Sequence, residues 1–346
     1  MARKILVVSL GSIGQRHLRN ARSLLPGAQI GVFRQSAPAS AKVPEGADAI
    51  FHDLQSALAF KPDAVIIASP ANLHIGNAKA FLGIGAHLFI EKPLAAAGKD
   101  LAGFEQAVRS SSAFVMVGYV LRFLPVLHSI RNLIREERIG KVRTAHVQVG
   151  QYLPDWRPSD DYRKGVSAQA ALGGGALLEL SHEIDYSLWL FGRPQALQCS
   201  LGKVGGLDID VEDSAHIVLE YASPAKRVLI QLDFLQRVAN MALQIVGSEG
   251  NLEADLINET VRIITPGKPQ GEAMAVPTLA NGNEIYLRQF DFFFTKSFAD
   301  YEPVFPETSG FEDWATVDQA ADVLALVDQA KVADDQGRRM DLGRKA

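Results

Sequence analysis

The sequence predicts two α/β units in series: a doubly wound parallel sheet, then an α+β domain built on a large, mainly antiparallel sheet. Three observations carry this. The chain has 346 residues, more than one hydrophobic core usually organises, so a split into two domains is expected. Its first third alternates short apolar runs with stretches of helical period, the grammar of a parallel sheet with crossover helices on both faces. From about residue 194 to 265 apolar and polar residues alternate with few helices between, as antiparallel strands with one buried face do.

Taken in order, "KILVVSL", "AQIGVF", "DAVIIAS", "HLFIEK" and "AFVMVGY" are too apolar to stand half-exposed and read as buried strands. Helices are expected between them, near 12–25, 53–60, 74–85 and 98–110. A helix near 124–137 leads into "KVRTAHVQVGQYL", and "AHIVLEY" and "RVLIQLDF" follow with period two. Two closing helices fall near 283–299 and 311–334. The change of grammar places the domains at 1–122 and 123–346.

Composition narrows the function. With 47% hydrophobic residues, 21% charged and a net charge of −4, the chain has no basic footprint for nucleic acid or an acidic membrane. Its apolar runs fall far short of the roughly 20 residues a membrane-spanning helix needs. A single cysteine, Cys199, cannot close an internal disulfide, and "MARKILVVSL" is followed by no small-residue cleavage site, so a cytoplasmic protein is expected. No metal is expected.

The first strand ends in "SLGSIGQRH", a dinucleotide fingerprint whose first glycine is replaced: Ser9, then Gly11, Ser12, Ile13 and Gly14. Gly11 and Gly14 keep the roles of close phosphate approach and helix packing, and only the tight turn falls to Ser9. Position within a βαβ repeat favours a pyrophosphate loop over an ordinary turn. Twenty residues past Gly14, at the end of the second strand, stands Arg34. An acid there would bind the ribose diol of NAD; an arginine suits a 2′-phosphate, which favours NADP over NAD.

Three further stretches carry a resemblance. "DAVIIASPANLHIGNAKAFLGIGAHLFIEKP", "QYLPDWRPSDDYR" and "GGGALLELSHEIDYSLWLFG", together with "GSIGQRH", resemble the Gfo/Idh/MocA oxidoreductases. The likeness continues through "VEDSAHIVLEY" and "IVGSEGNLEADL" to "GRRMDL". It implies a Rossmann domain followed by an α/β domain with an open-faced sheet, buried between subunits of a homodimer or homotetramer. It implies that Lys92 of Glu-Lys-Pro sits beside nicotinamide and substrate, after Glu91 and before a proline bond that is often cis in relatives. Ser69, Pro70, Asn72 and His74 of "SPANLH" fall with the cofactor, and "H-x-x-D" places the acid-base histidine at His182 with Asp185. Two departures stand out. Leu178 holds the position where relatives carry Asp, leaving Glu179 as the nearest acid; and Val120 stands where Asn is frequent, although Arg122 beside it is retained to line the cleft.

Helical period supports His182 independently. At 100° per residue from Ala176 to Phe191, Leu177, Leu180, Ile184, Leu188 and Phe191 form one stripe, while Glu179, His182, Tyr186 and Trp189 gather opposite. A solvated face seldom groups His, Tyr and Trp, so this side reads as a partly covered cleft wall. In "QYLPDWRPSDDYR", Tyr152, Trp156 and Tyr162 offer ring faces to a sugar, and Arg157 and Arg163 offer cations to an acidic, phosphorylated or nucleotide-linked one; a purely structural loop is the equal alternative. The expected activity is hydride transfer between NADP or NAD and a secondary alcohol or ketone of a sugar, polyol or nucleotide sugar, with Lys92 and His182 catalytic. The alternative is a dinucleotide-binding sensor of the same fold without catalysis.

Overall fold

The computed structural model describes residues 2–35, 38, 40–308 and 313–343. They divide into two compact units. The first is the chain up to Phe123 together with Asn281–Leu324, and the second is Leu124–Ala280 together with the chain from Ala325 onward. The segment 281–324 therefore packs in the first unit, where a single cut at 122/123 does not put it.

In the first unit six strands, β1 (Lys4–Val8), β2 (Gln29–Phe33), β3 (Ala49–Phe51), β4 (Ala64–Ile67), β5 (His87–Ile90) and β6 (Val115–Val117), form a parallel sheet in the order β3-β2-β1-β4-β5-β6. The expected doubly wound fold is thus present. Ile5, Leu6 and Val7 and every residue of β4 are fully buried, which is why these strands lack polar alternation. Strand β3 was not foreseen: three residues, "AIF", are shorter than any periodic template resolves. The crossovers are α1 (Ser12–Leu24), α2 (Leu54–Ala59), α3 (His74–Leu82) and α4 (Phe104–Arg109). The single helix expected near 98–110 is instead a short 3₁₀ turn at Gly98–Leu101 and then α4, parted by Gly103 in the left-handed region at φ 74°.

The second unit opens with α5 (Pro125–Arg135), whose first residue is a proline, favourable at a helix start. Strand β7 (Val142–Gly150) follows, then α6 (Ala176–Glu179), α7 (His182–Phe191) and strands β8 (Ala196–Gly202), β9 (Ser214–Ala222), β10 (Ala225–Asp233), β11 (Asn240–Gly247), β12 (Asn251–Asp255), β13 (Thr260–Thr265) and β14 (Lys268–Met274). The chain closes with α8 (Glu284–Ser297), α9 (Val317–Gln336) and β15 (Met340–Asp341). The sheet has nine strands in the order β14-β13-β12-β11-β7-β10-β9-β8-β15. Among the described residues only β7 and β10 of this sheet pair in parallel; its other pairs are antiparallel. One face, with Val147, Ile217, Ile230 and Leu243, is fully buried, while register puts His146, Gln148, Val218, Leu229 and Gln244 on the other. Helices α5, α6 and α7 pack on the sheet.

Helix α8 explains the return of the chain to the first unit. Phe290, Phe292, Phe293 and Phe294 are all fully buried, and Phe290 lies 4.6 Å from Phe89 of β5, ring centre to ring centre. Phe293 also meets Phe89, while Phe292 lies against Phe123 and Trp314 and Phe294 against Phe298 and Tyr301. The helix expected near 311 begins at Val317, and part of its expected first turn lies outside the described residues. Among the described residues no helix is long and apolar enough to cross a membrane, and no group of His, Cys, Asp and Glu could hold a metal.

Candidate active site

The carboxyl edge of the parallel sheet brings the cofactor candidates into one row. Arg34 follows β2, Ser9 follows β1, Ser69 and Pro70 follow β4, and Glu91 and Lys92 follow β5. These four strands are neighbours, spaced about 4.8 Å apart. Strand order reverses between β1 and β4, the position at which open α/β sheets take ligands.

In the loop after β1, Ser9, Gly11 and Gly14 stand in three different environments. Ser9 adopts φ 73°, the left-handed conformation usually left to glycine, and its N–H donates to the Phe33 carbonyl at 2.9 Å. A Cβ on Gly14 would stand 2.4 Å from the Ser9 carbonyl oxygen, so helix and turn touch there and permit no side chain. A Cβ on Gly11 would meet nothing within 4 Å. Packing therefore demands Gly14 but not Gly11, where the open space lies beside the start of α1. No side chain caps that helix and its first turn, including Ser12 and Ile13, contains no acid. Free N–H groups at the positive end of a helix dipole fit the pyrophosphate of NAD or NADP.

Two of the expected site residues are used up inside the first unit. His74 is 1% exposed; its Nδ1 faces the Pro93 carbonyl at 2.9 Å and its Nε2 the Ser69 carbonyl at 2.7 Å. A neutral ring has one N–H and donates to only one of the two carbonyls, so it sits wedged between the turn after β4 and the turn after β5 and offers no open nitrogen to a ligand. Burial holds its pKa below the ordinary 6.5, against the opposing pull of these carbonyls and of Glu91. Arg122 is also buried, and its guanidinium donates to the carbonyls of Asp313 and Trp314 and to Gln319 Oε1 at 2.7 Å. Its retention is accounted for by this tie to the returning segment.

Lys92 is half-buried and its bond to Pro93 is cis, as expected. Its backbone N–H donates to Glu91 Oε2 at 3.1 Å. The other carboxylate oxygen, Oε1, lies 2.6 Å from His17 Nε2 of α1. Sequence reasoning passed over His17; its spacing from Gly14 on the buried stripe of α1 was the available signal.

The second unit holds the other candidates. The helix expected as continuous from Ala176 to Phe191 is broken at Leu180 and Ser181, so α7 starts afresh at His182. Three glycines make the entry possible: Gly175, at φ 104°, lies where a Cβ would stand 2.4 Å from the Glu212 carboxylate, which accepts the Leu177 N–H at 3.0 Å. Glu179 is half-buried and accepts from the Ser167 hydroxyl at 2.8 Å. His182 is half-buried too, whereas Asp185 is 1% exposed and presents no open surface. The aromatic side of this helix is covered differently from the expected cleft wall. Tyr186 is fully buried, and Trp189 packs on α5, edge-on to His128 at 5.1 Å and under Arg131 at 4.5 Å.

The segment after β7 encloses a hollow of about 470 Å³ lined by Leu153, Trp156, Arg157, Asp160, Tyr162 and Ser167, among others. Ser167 joins this hollow to Glu179. Trp156 rests edge-on against buried Phe234 at 5.3 Å, and Tyr162 packs on the same small core. Two expected members are elsewhere: Tyr152 lies 3.5 Å beneath the Arg237 guanidinium, and Arg163 is bound by Asp161 at 2.8 Å with Asp208 nearby. Arg157 is exposed at the rim, and no described side chain neutralises it.

Comparison with known proteins follows the same division. The chain is similar to scyllo-inositol 2-dehydrogenase (NADP(+)) IolU of Bacillus subtilis, 26% identical over 75% of this chain and 78% of that one. The matches to three other curated relatives take in 37%, 60% and 47% of their lengths. Among solved structures, levoglucosan dehydrogenase in complex with NADH shares the fold at a TM-score of 0.79 and 17% identity, covering 99% of this chain and 100% of that one. The WlbA dehydrogenase from Bordetella pertussis, in complex with NADH and UDP-GlcNAcA, does so at 0.74 and 18%, with both chains covered completely. Residues 3–119 match the oxidoreductase family model with an NAD-binding Rossmann fold, and residues 127–253 match the GFO/IDH/MocA C-terminal domain. With both domain models matched in succession on this fold, the chain belongs to the Gfo/Idh/MocA oxidoreductase family.

Proposed function

We propose that the protein is an NAD(P)-dependent dehydrogenase acting on a secondary alcohol, or the matching ketone, of a sugar, polyol or nucleotide sugar. The observation that carries this is Gly11: a glycine that packing does not require, facing open space at an uncapped helix start after β1, two strands along the sheet from β5 and Lys92. When bound, the nicotinamide supplies the hydride chemistry. Residues of this chain do the remainder. Ser9, Gly11, Ser12, Ile13 and Gly14 bind the pyrophosphate, Ser69, Pro70 and Asn72 line the neighbouring strand end, and Arg34 takes a 2′-phosphate, favouring NADP.

Lys92 holds and polarises the substrate oxygen. His182 exchanges the hydroxyl proton, a task suited to imidazole because its ordinary pKa lies near working pH. Glu179, Trp156, Arg157 and Tyr162 receive hydroxyls and ring faces, and the un-neutralised Arg157 favours an acidic or phosphorylated sugar. The names of similar proteins, an inositol and a levoglucosan dehydrogenase, support a polyol or sugar. A sensor without catalysis needs neither Lys92 nor His182, and both are present.

The test is a panel of sugars, polyols and nucleotide sugars followed by nicotinamide absorbance with both cofactors. Wild type should turn over at least one compound, Lys92→Ala and His182→Ala should lose turnover at least about a hundredfold while retaining cofactor, and Arg34→Asp should shift preference toward NAD. Tight NADPH binding with no turnover of anything would favour the sensor.

A further inference from the structure

His17 is fully buried in the middle of α1, six residues past Gly11, in a box of Phe89, Phe290 and Tyr286. Its Nε2 faces Glu91 Oε1 at 2.6 Å, and a carboxylate can only accept, so Nε2 carries the proton. Nδ1 meets no hydrogen-bond partner among the described residues. The far oxygen of Glu91 accepts the Lys92 backbone N–H at 3.1 Å. Space for the carboxylate is kept by Gly118, where a Cβ would stand 3.2 Å from Glu91 Cδ and Oε1.

We propose that His17 is a positioning residue for Lys92: through Glu91 it fixes the Lys92 backbone to the helix whose first turn binds the dinucleotide. The inference rests on the dehydrogenase reading for the role of Lys92, and on the geometry alone for the relay. Stability by itself does not account for the pair, because buried polar pairs replaced by apolar groups of similar size are often no less stable. A relay accounts for it. Glu91 accepts two donors, one from the cofactor helix and one from the lysine, so binding at the first constrains the second.

The experiment compares wild type with His17→Leu, which keeps bulk without a donor, and His17→Gln, whose amide N–H reaches the same region. With the best panel substrate, His17→Leu should lose roughly ten- to a hundredfold in kcat, the scale of a misplaced reacting group, with KM and cofactor Kd little changed. His17→Gln should recover most of it. The rate at which an acylating reagent modifies Lys92, read by peptide mass spectrometry, should change several-fold in His17→Leu and stay near wild type in His17→Gln. Should His17→Leu fail to fold, Glu91→Met breaks the same relay and should give the same kcat loss and labelling change. Equal kcat and equal Lys92 labelling in the two His17 variants, or in Glu91→Met and wild type, overturns the proposal. A wild type that turns over nothing sinks the dehydrogenase reading alone, and the labelling then decides the relay.

Discussion

At the scale of single residues, the loop after β1 separates what folding needs from what a ligand needs. Gly14→Ala drives a Cβ into a backbone carbonyl 2.4 Å away, and overpacking of this kind costs about 1–3 kcal/mol. Gly11→Val adds bulk only to open space, so its Tm should stay at the wild-type value while dinucleotide binding is lost. Ser9→Gly removes a side chain from φ 73° and should raise stability by up to about 1 kcal/mol with a modest effect on cofactor affinity. Thermal unfolding beside a cofactor titration reads all three; loss of Tm in Gly11→Val, or intact binding by it, would show that the pyrophosphate lies elsewhere. The lone thiol is a simpler case. Burial pushes the Cys199 pKa up to about 12, so the native protein should resist thiol reagents near neutral pH and react once unfolded.

At the scale of elements, His74 is a fastener between two turns. Burial depresses its folded-state pKa below the unfolded value of about 6.5, so the unfolded chain takes up a proton first as pH falls. Stability should therefore decline as pH drops through about 6.5, level once the folded state is protonated too, and be free of this contribution above that range. Urea unfolding at a series of pH values should show a shallower decline below pH 6.5 in His74→Asn than in wild type; identical slopes would place the titration on another group. The break between α6 and α7 belongs to this scale as well. A helical wheel drawn through residues 176–191 assumes one axis, and the restart at His182 takes Glu179 off the axis that His182, Tyr186 and Trp189 share, while Trp189 packs on α5.

At the scale of the whole molecule, the nine-stranded sheet leaves one side bearing Val218, Leu229 and Gln231 among polar neighbours. Self-association through this face is our expectation for the protein, and Leu229→Glu should then yield a smaller species by light scattering with its circular dichroism unchanged. An unaltered mass would assign assembly to another surface. Strand periodicity, the glycine loop, the Lys92–Pro93 turn and both domain types were legible in the sequence because each depends on residues within a few positions of one another. What depends on distant partners was not. The Glu91–His17 contact spans 74 residues and the Arg122 tie to Gln319 spans 197, and no local pattern specifies which faces will meet. The sequence by itself determined the strands, the turns and the chemical groups at their ends. Tertiary packing decided which of those groups stay available: it consumed His74 and Arg122, enclosed Asp185, returned 281–324 to the first sheet and enlisted His17. Local backbone preferences are set by neighbours in the chain, whereas burial and partner choice are set by whichever surfaces exclude water together.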